Sequence, residues 1–405
     1  MSKFKLATVA TVIGLSTAFL PTMAQTPYSQ YGYGILDDNA TGNQRAMGGT
    51  GIGMRNNTQI NMMNPASYTA VDSLTFMFDF SADYKASWYK ENNASAKGQG
   101  GGLNYITMQF RLGKRVAASA GLTPLTHVQY TYGNTITNGS FTRVGEGGIS
   151  QAYLGAAYQP WKWLSVGVNF GYIFGNIENY VQANPDDATA GAYYKTLSVS
   201  DFRLQAGLQL MHRFSQKHDL TLGFVYTLGK PTLGEATAFA TNSDTTTMKM
   251  RDFYSMPHCF GAGVSYVYDQ RVTAAVDVRY DLWDRAKFYN PYTGVDEKMS
   301  NRLKVSAGLE FRPKLLSSNY LDYVRYRIGG YYDQSYIMVG NNHVREYGVS
   351  CGFGFPLRGD KSILNVGFEY SHRNGTPDKL LSEDHISIVI SMTFNEMWFW
   401  KRRFD

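Results

Sequence analysis

The chain has 405 residues, with 30 Tyr, 23 Phe and 41 Gly against only 12 Pro, and a formal net charge of +6 at pH 7. Two of the positive charges belong to the extreme N-terminus and the rest are scattered, which gives no support to nucleic-acid binding. Beyond the leader no run approaches the roughly 18 to 20 consecutive apolar residues of a membrane helix, so a helical membrane protein is excluded, and the aromatic and glycine content points to many strands and turns.

The first residues, "MSKFKLATVATVIGLSTAFLPTMAQ", combine Lys3 and Lys5 with an apolar run from Leu6 to Leu20 and a small-residue site at Thr22-Met23-Ala24. This is the pattern of a secretory signal peptide over residues 1–24, cleaved after Ala24. Gln25 follows rather than Cys, so the lipoprotein route is not expected, and an exported chain of about 380 residues remains.

The stretch Arg45 to Ser67, "RAMGGTGIGMRNNTQINMMNPAS", invites a phosphate-loop reading. Gly49 and Gly51 open a G-x-G, but Met54 stands where the third glycine belongs. Gly48 and Gly53 have Walker spacing, but Met54 and Arg55 replace the Lys and Ser or Thr that hold phosphate and magnesium. No apolar strand precedes and no helical pattern follows, so the βαβ context is missing too. Residues 25–72 fit no membrane strand, are rich in Gly, Asn and Met, and have the length of a luminal plug, in which the glycines permit tight turns and close backbone approach. Met47, Met54, Met62 and Met63 suit either an adaptable greasy pocket or packing against a barrel interior.

From Ser73 onward the pattern changes to period two. In the first segment Phe76, Phe78, Phe80, Ala82, Tyr84, Ala86 and Trp88 alternate with Thr75, Asp79, Ser81, Asp83 and Lys85; Val272 to Leu282 and Ile386 to Phe394 repeat the alternation. Fourteen such strands are expected: Ser73 to Trp88, Gly100 to Leu112, Val116 to Tyr132, Ile149 to Gln159, Leu164 to Ile177, Thr196 to Phe214, Asp219 to Leu228, Asp252 to Tyr268, Arg271 to Trp283, Arg302 to Arg312, Arg325 to Tyr336, Glu346 to Leu357, Ser362 to Ser371 and His385 to Phe394. An even number, aromatic-rimmed outer faces, and links that alternate short and long predict an all-β, 14-stranded antiparallel transmembrane β-barrel over residues 73–395 in the outer membrane, with a periplasmic tail over 396–405. The link Pro313 to Val324 is long for its side and predicts a small helical turn. Cys259 points inward by parity and Cys351 outward, so two free thiols are expected.

"RAMGGTGIGM" followed by "NPAS" at Asn64 to Ser67 resembles the N-terminal hatch of the FadL-type outer-membrane transporter family. The resemblance implies a luminal hatch carried by Gly48, Gly49, Gly51, Gly53, Asn64, Pro65 and Ala66. It also implies passage of hydrophobic small molecules such as long-chain fatty acids. In the third strand, "AGLTPLTHVQY", Pro124 interrupts the alternation and has no N–H for the ladder. That family kinks its third strand inward and opens a lateral gap to the bilayer. Gly121, Thr123, Pro124 and His127 are the corresponding candidates here, against a plain bulge as the alternative.

Outer-membrane lipid and a hydrophobic small-molecule ligand are the expected partners, with an outer-membrane or periplasmic protein as a further one. No cofactor or metal is expected, since no two of the seven histidines have metal-ligand spacing, and no serine motif supports an enzyme. The inward charges, including Asp79, Asp83, Lys85, Arg111, Asp201, Arg203, Asp277, Arg279, Arg302, Lys304, Glu310, Arg325, Arg327, Asp333 and Glu369, are of both signs and are expected to pair, tying wall to hatch. One Arg or Lys among them is also available to a ligand carboxylate. A second function fits the same fold: a non-transporting subunit or docking partner of a larger outer-membrane secretion or assembly complex, with the long link Gly229 to Arg251 and the cationic aromatic tail "WFWKRRFD" as contact elements.

Overall fold

Alternation of this kind suits a strand with lipid on one face and a filled lumen on the other, and the computed structural model realises it throughout. The structure describes residues 26–397 apart from 137, 187–188, 241–244, 292, 316, 358–360 and 379. The expected signal peptide and the tail beyond Met397 lie outside the described residues.

The fourteen barrel strands are β1 Thr75–Glu91, β2 Ala94–Arg111, β3 Val116–Ile136, β4 Gly139–Trp161, β5 Leu164–Pro185, β6 Gly191–Ser215, β7 His218–Thr227, β8 Cys259–Tyr268, β9 Val272–Asp281, β10 Arg302–Phe311, β11 Arg325–Val339, β12 Asn342–Pro356, β13 Ile363–Thr376 and β14 Ser382–Met397. Each pairs antiparallel with the next, and β1 closes on β14 with Phe78 opposite Phe394. On β5, Val166, Val168, Phe170 and Tyr172 are exposed to lipid while Ser165 and Asn169 between them are buried. Trp161 and Trp163 stack at 5.5 Å in the turn between β4 and β5, an aromatic anchor at the interface. Cys351 is exposed on the outer face, Cys259 is buried inside, and both are free thiols.

The wall is of unequal height. Strands β7 to β10 have 10 residues each, enough to cross about 25 Å of apolar band at the usual tilt. Strands β4, β5 and β6 have 23, 22 and 25 residues. On β5 the outward face turns polar between Phe174 and Asn176, so the remainder rises above the lipid. Several links expected as long loops are therefore strand: β4 starts at Gly139 rather than Ile149, β6 at Gly191 rather than Thr196, and β2 at Ala94 rather than Gly100. Above the lipid neither face need be apolar, so the alternation fades while the backbone ladder continues.

The strand expected from Asp252 also begins later. A short helix, Met250–Phe253, and the two residues Ser255–Met256 precede β8, and Pro257, which has no N–H to give a ladder, separates them. The link ahead of it holds a hairpin of Gly234–Ala240 with Thr246–Lys249 that extends the β6 ladder. A 3₁₀ turn at Tyr320–Asp322 lies in the link where a helical turn is expected.

Residues 26–72 run through the lumen. Towards the tall side, Tyr33 joins Trp283, Phe288 and Tyr336 in an apolar cluster. Towards the opposite end, Ile60, Met62 and Tyr68 pack with Met77, Tyr105 and Tyr153. Between the two clusters ion pairs and hydrogen bonds tie the segment to the wall, with Met47 and Met54 packed on Ala275.

Candidate functional site

The glycine run folds against the wall. Thr41 caps a single helical turn, Gly42–Arg45, in a capping box with Gln44. After it Gly48 and Gly49 take φ of +72° and +80°, conformations open to glycine at little cost. The backbone N–H groups that follow converge on an anion: Gly51 and Ile52 donate to Oδ2 of Asp277 at 2.6 and 2.8 Å. This is a backbone nest, and the anion it holds is a carboxylate of β9. Gly48 N–H donates to Ser350 Oγ at 2.9 Å, and a Cβ at Gly48 would lie 2.6 Å from the carbonyl oxygen of Gly330. A Cβ at Gly53 would lie 2.8 Å from the backbone of Val264.

Further on, Asn64 accepts from Ala66 N–H and caps the 3₁₀ turn Pro65–Ala70, while its Nδ2 donates to Ile52 O at 2.9 Å. Ala66 is fully buried and its carbonyl accepts from Ser165 on β5. Met47 and Met54 are buried and pack with Ala275, whereas Met62, buried, and Met63, partly so, border a small cavity beside Arg203 and Arg279. Arg55 donates to neutral oxygens only, those of Ala66, Thr69, Gln159 and Gln209. Burial, and then the like charge of Arg111, lower its pKa to about 10, so it stays charged at neutral pH.

Two acidic residues that sequence reasoning passed over, Asp37 and Asp38, lie at the centre of the ionic layer. Asp38 meets Arg279 at 3.2 Å, Arg302 at 2.8 Å and Lys304 at 2.6 Å, bridging β9 and β10. Burial alone would raise its pKa, but Arg302, Lys304 and Arg279 together hold it well below the usual carboxylate range. Arg45 pairs with Asp83 on β1 at 3.0 Å and with Glu369 on β13 at 3.2 Å. Thr26 donates to Glu383, which is itself paired with Arg373.

The ladder between β2 and β3 runs only from Arg111↔Ala117 to Ile106↔Leu122 and then ends, although both strands continue. Gly121 lies within this ladder, opposite Thr107, and Thr123 is buried opposite Gln151 of β4. Pro124 sits at a register shift against β4, between its partner Ser150 and the next pair, Thr126↔Ile149. Beyond it Leu125, Thr126, Val128 and Tyr130 are all buried, so strict in-and-out alternation is lost.

The edge that β2 leaves is taken by the N-terminal segment. Ile35 pairs with His127 and Leu36 with Thr126, Asp37 N–H donates to Leu125 O, and Thr26 N–H to Gln129 O. His127 Nε2 is 3.8 Å from Asp37 Oδ2. Beside the break lies a cavity of about 640 Å³, bordered by Leu103, Ile106, Leu122, Pro124 and Val128 among others. This places His127 on the cavity together with Thr123 and Pro124, while the glycine run lies elsewhere, against β8 to β12.

One other cluster has an order familiar from hydrolases. Ser87 Oγ is 2.7 Å from His385 Nδ1, and His385 Nε2 is 3.2 Å from Glu383. All three are at most 3% exposed, and Glu383 is committed to Arg373 and Thr26. With no access for a substrate, these residues knit β1 to β14 and are not a nucleophilic site.

A closed fourteen-stranded barrel with an apolar, aromatic-rimmed exterior and a chain segment in its lumen has the fold of FadL-type outer-membrane transporters of hydrophobic compounds. A family model described as BamG matches residues 1–405, and the chain belongs to the BamG family. Among solved structures it is similar to the P. putida toluene transporter TodX, with TM-score 0.63 and 16% identity over 90% of this chain and 100% of that one. It is also similar to a Pseudomonas aeruginosa FadL homologue, with TM-score 0.61 and 10% identity over 90% and 99% of the two chains. The CymD monoaromatic hydrocarbon channel gives TM-score 0.58 and 16% identity over 87% and 97%. Among curated proteins no significant sequence match was found.

Proposed function

We propose that this protein is an outer-membrane passage for hydrophobic small molecules, with residues 25–72 as its hatch and the break between β2 and β3 as a lateral exit. The observation that carries this reading is the ladder that stops at Ile106↔Leu122 beside a cavity of about 640 Å³, within the size range of small-molecule sites. An apolar compound leaving sideways stays out of water, which is worth about 0.8 kcal/mol per methylene. The channels of like fold support the reading, since TodX is a toluene transporter and CymD a monoaromatic hydrocarbon channel.

A second reading, a non-transporting partner within a larger outer-membrane assembly, is favoured by how firmly the luminal segment is tied in, through Asp38, Arg45 and the nest at Asp277. Purification in a mild detergent followed by lipid mass spectrometry separates the two. Passage predicts a co-purifying hydrophobic compound. A stoichiometric protein complex around an empty barrel, with uptake unchanged on gene deletion, sinks it.

A further inference from the structure

Where β2 and β3 part, each strand shows an edge to the break, and the N-terminal segment covers that of β3. Ile35 and Leu36 pair there with His127 and Thr126, and the N–H groups of Asp37 and Thr26 reach the carbonyls of Leu125 and Gln129. The facing edge of β2, from Ala94 to Asn104, pairs with β1 on one side and has no backbone partner on the other among the described residues. Closed barrels abolish edges, and an edge left free is commonly blunted by proline, by charges or by being short. This one is long, has no proline, and carries a single charge, Lys97. Its lower part lies beside Tyr84, opposite Gly101 and exposed on the outer apolar face, where unpaired N–H and C=O groups have little water to bond.

The side chains along the edge say what fits it. Asn104 is bulged between the pairs Ser81↔Tyr105 and Ala82↔Leu103, which resets the facing of the strand above it. Leu103, Gln99 and Lys97 are exposed on the outer face, in line with Tyr84 and Trp88 of β1. The inward positions are Gly102, Gly100 and Gly98, opposite the inward Asp83, Lys85 and Ser87. A strand laid along this edge therefore has room for a large inward side chain at every second residue. The ring of Tyr89 on β1 already uses that room, since a Cβ at Gly98 would lie 3.1 Å from it. On the open side lies the cavity of about 640 Å³, bordered by Leu103, Asn104 and Tyr105 of the same strand.

We infer that the β2 edge docks an extended segment of another protein, added as a strand with bulky side chains alternating inward. Only an extended backbone presents donors and acceptors at the spacing of a strand edge. A second copy of the barrel does not fit. Two copies in one membrane run β2 in the same direction, and opposed tilts of about 35–45° make their edges cross instead of pairing. The inference goes beyond the passage reading and does not depend on it.

The test adds a synthetic peptide copying Leu125 to Gly133, the part of β3 that would face the edge had the ladder continued, to the full chain in a non-ionic detergent. Binding should slow exchange of the edge-facing amides between Ala94 and Asn104 by at least about tenfold. A strand on a single edge uses every second N–H, so of two peptides N-methylated at alternate positions one should bind like the parent and the other at least about tenfold more weakly. A parent peptide that does not bind, binding without slower exchange at 94–104, or equal behaviour of the two methylated peptides overturns the inference. Protection of 94–104 that rises with the concentration of the barrel alone assigns the edge to a second copy and overturns it as well.

Discussion

Gly51 and Asp277 are joined through a 2.6 Å hydrogen bond from backbone N–H to carboxylate, and this bond explains the glycine run better than any phosphate does. Asp277→Ala leaves the buried N–H groups of Gly51 and Ile52 without an acceptor, at a cost of about 1–3 kcal/mol each. Faster amide exchange over residues 48–54 is the expected result, with β9 and β10 still protected. Inorganic phosphate or a nucleotide should leave exchange in the unmodified protein unchanged.

Gly48 combines a left-handed φ with contact against the wall backbone. Gly48→Val adds a backbone penalty of about 1–2 kcal/mol to a clash with Gly330. The segment should detach locally and become open to protease in membranes, while the barrel keeps its heat-modifiable mobility on gels. Protection as in the unmodified protein would show that the wall does not constrain this residue.

Asp38 gives the segment a pH dependence of known sign. Its folded pKa is depressed, so its contribution is present at neutral pH and through mild acid, and is lost only as pH falls through that low value. Asp38→Asn leaves Arg279, Arg302 and Lys304 short of a counter-charge, which for a buried pair costs about 3–5 kcal/mol. Protease protection of residues 26–45 should fall in the variant at neutral pH and through mild acid, converge with the unmodified protein at the lowest pH, and so show a flattened acid-induced loss.

Cys351 and Cys259 test the parity of the wall. A spin label on Cys351 should be relaxed by oxygen dissolved in lipid rather than by a water-soluble nickel chelate, and Cys259 should resist labelling until the protein is denatured. Fast labelling of Cys259 in the native barrel would contradict its inward position.

Much of this fold is legible in the sequence because lipid imposes period two: Phe76 to Trp88 outward and Asp79 to Lys85 inward specify both a strand and its facing. The signal fades where the constraint does. Residues 139–148 and 191–195 stand above the lipid and read as loops, although their backbones remain in the ladder. Pairing of the inward charges is legible as a class, because unpaired charges in a closed lumen are costly. Which acid would join Arg279, Arg302 and Lys304 is not, since Asp38 lies more than two hundred positions away and in no periodic segment. Pro124 marks a disturbance in β3, but nothing local reveals that Ile35 and Leu36 take the edge that β2 gives up.

The central claim is that ligand passes the wall where β2 and β3 part. The most direct measurement is uptake of labelled dodecanol by intact cells carrying the unmodified gene, a deletion, or Leu122→Trp, an outward residue bordering the cavity whose enlargement fills it. The account predicts that deletion and Leu122→Trp lower the initial rate alike, by at least about threefold, with the variant barrel present at normal level. Equal rates in all three strains, or a deletion defect that Leu122→Trp restores in full, would contradict it.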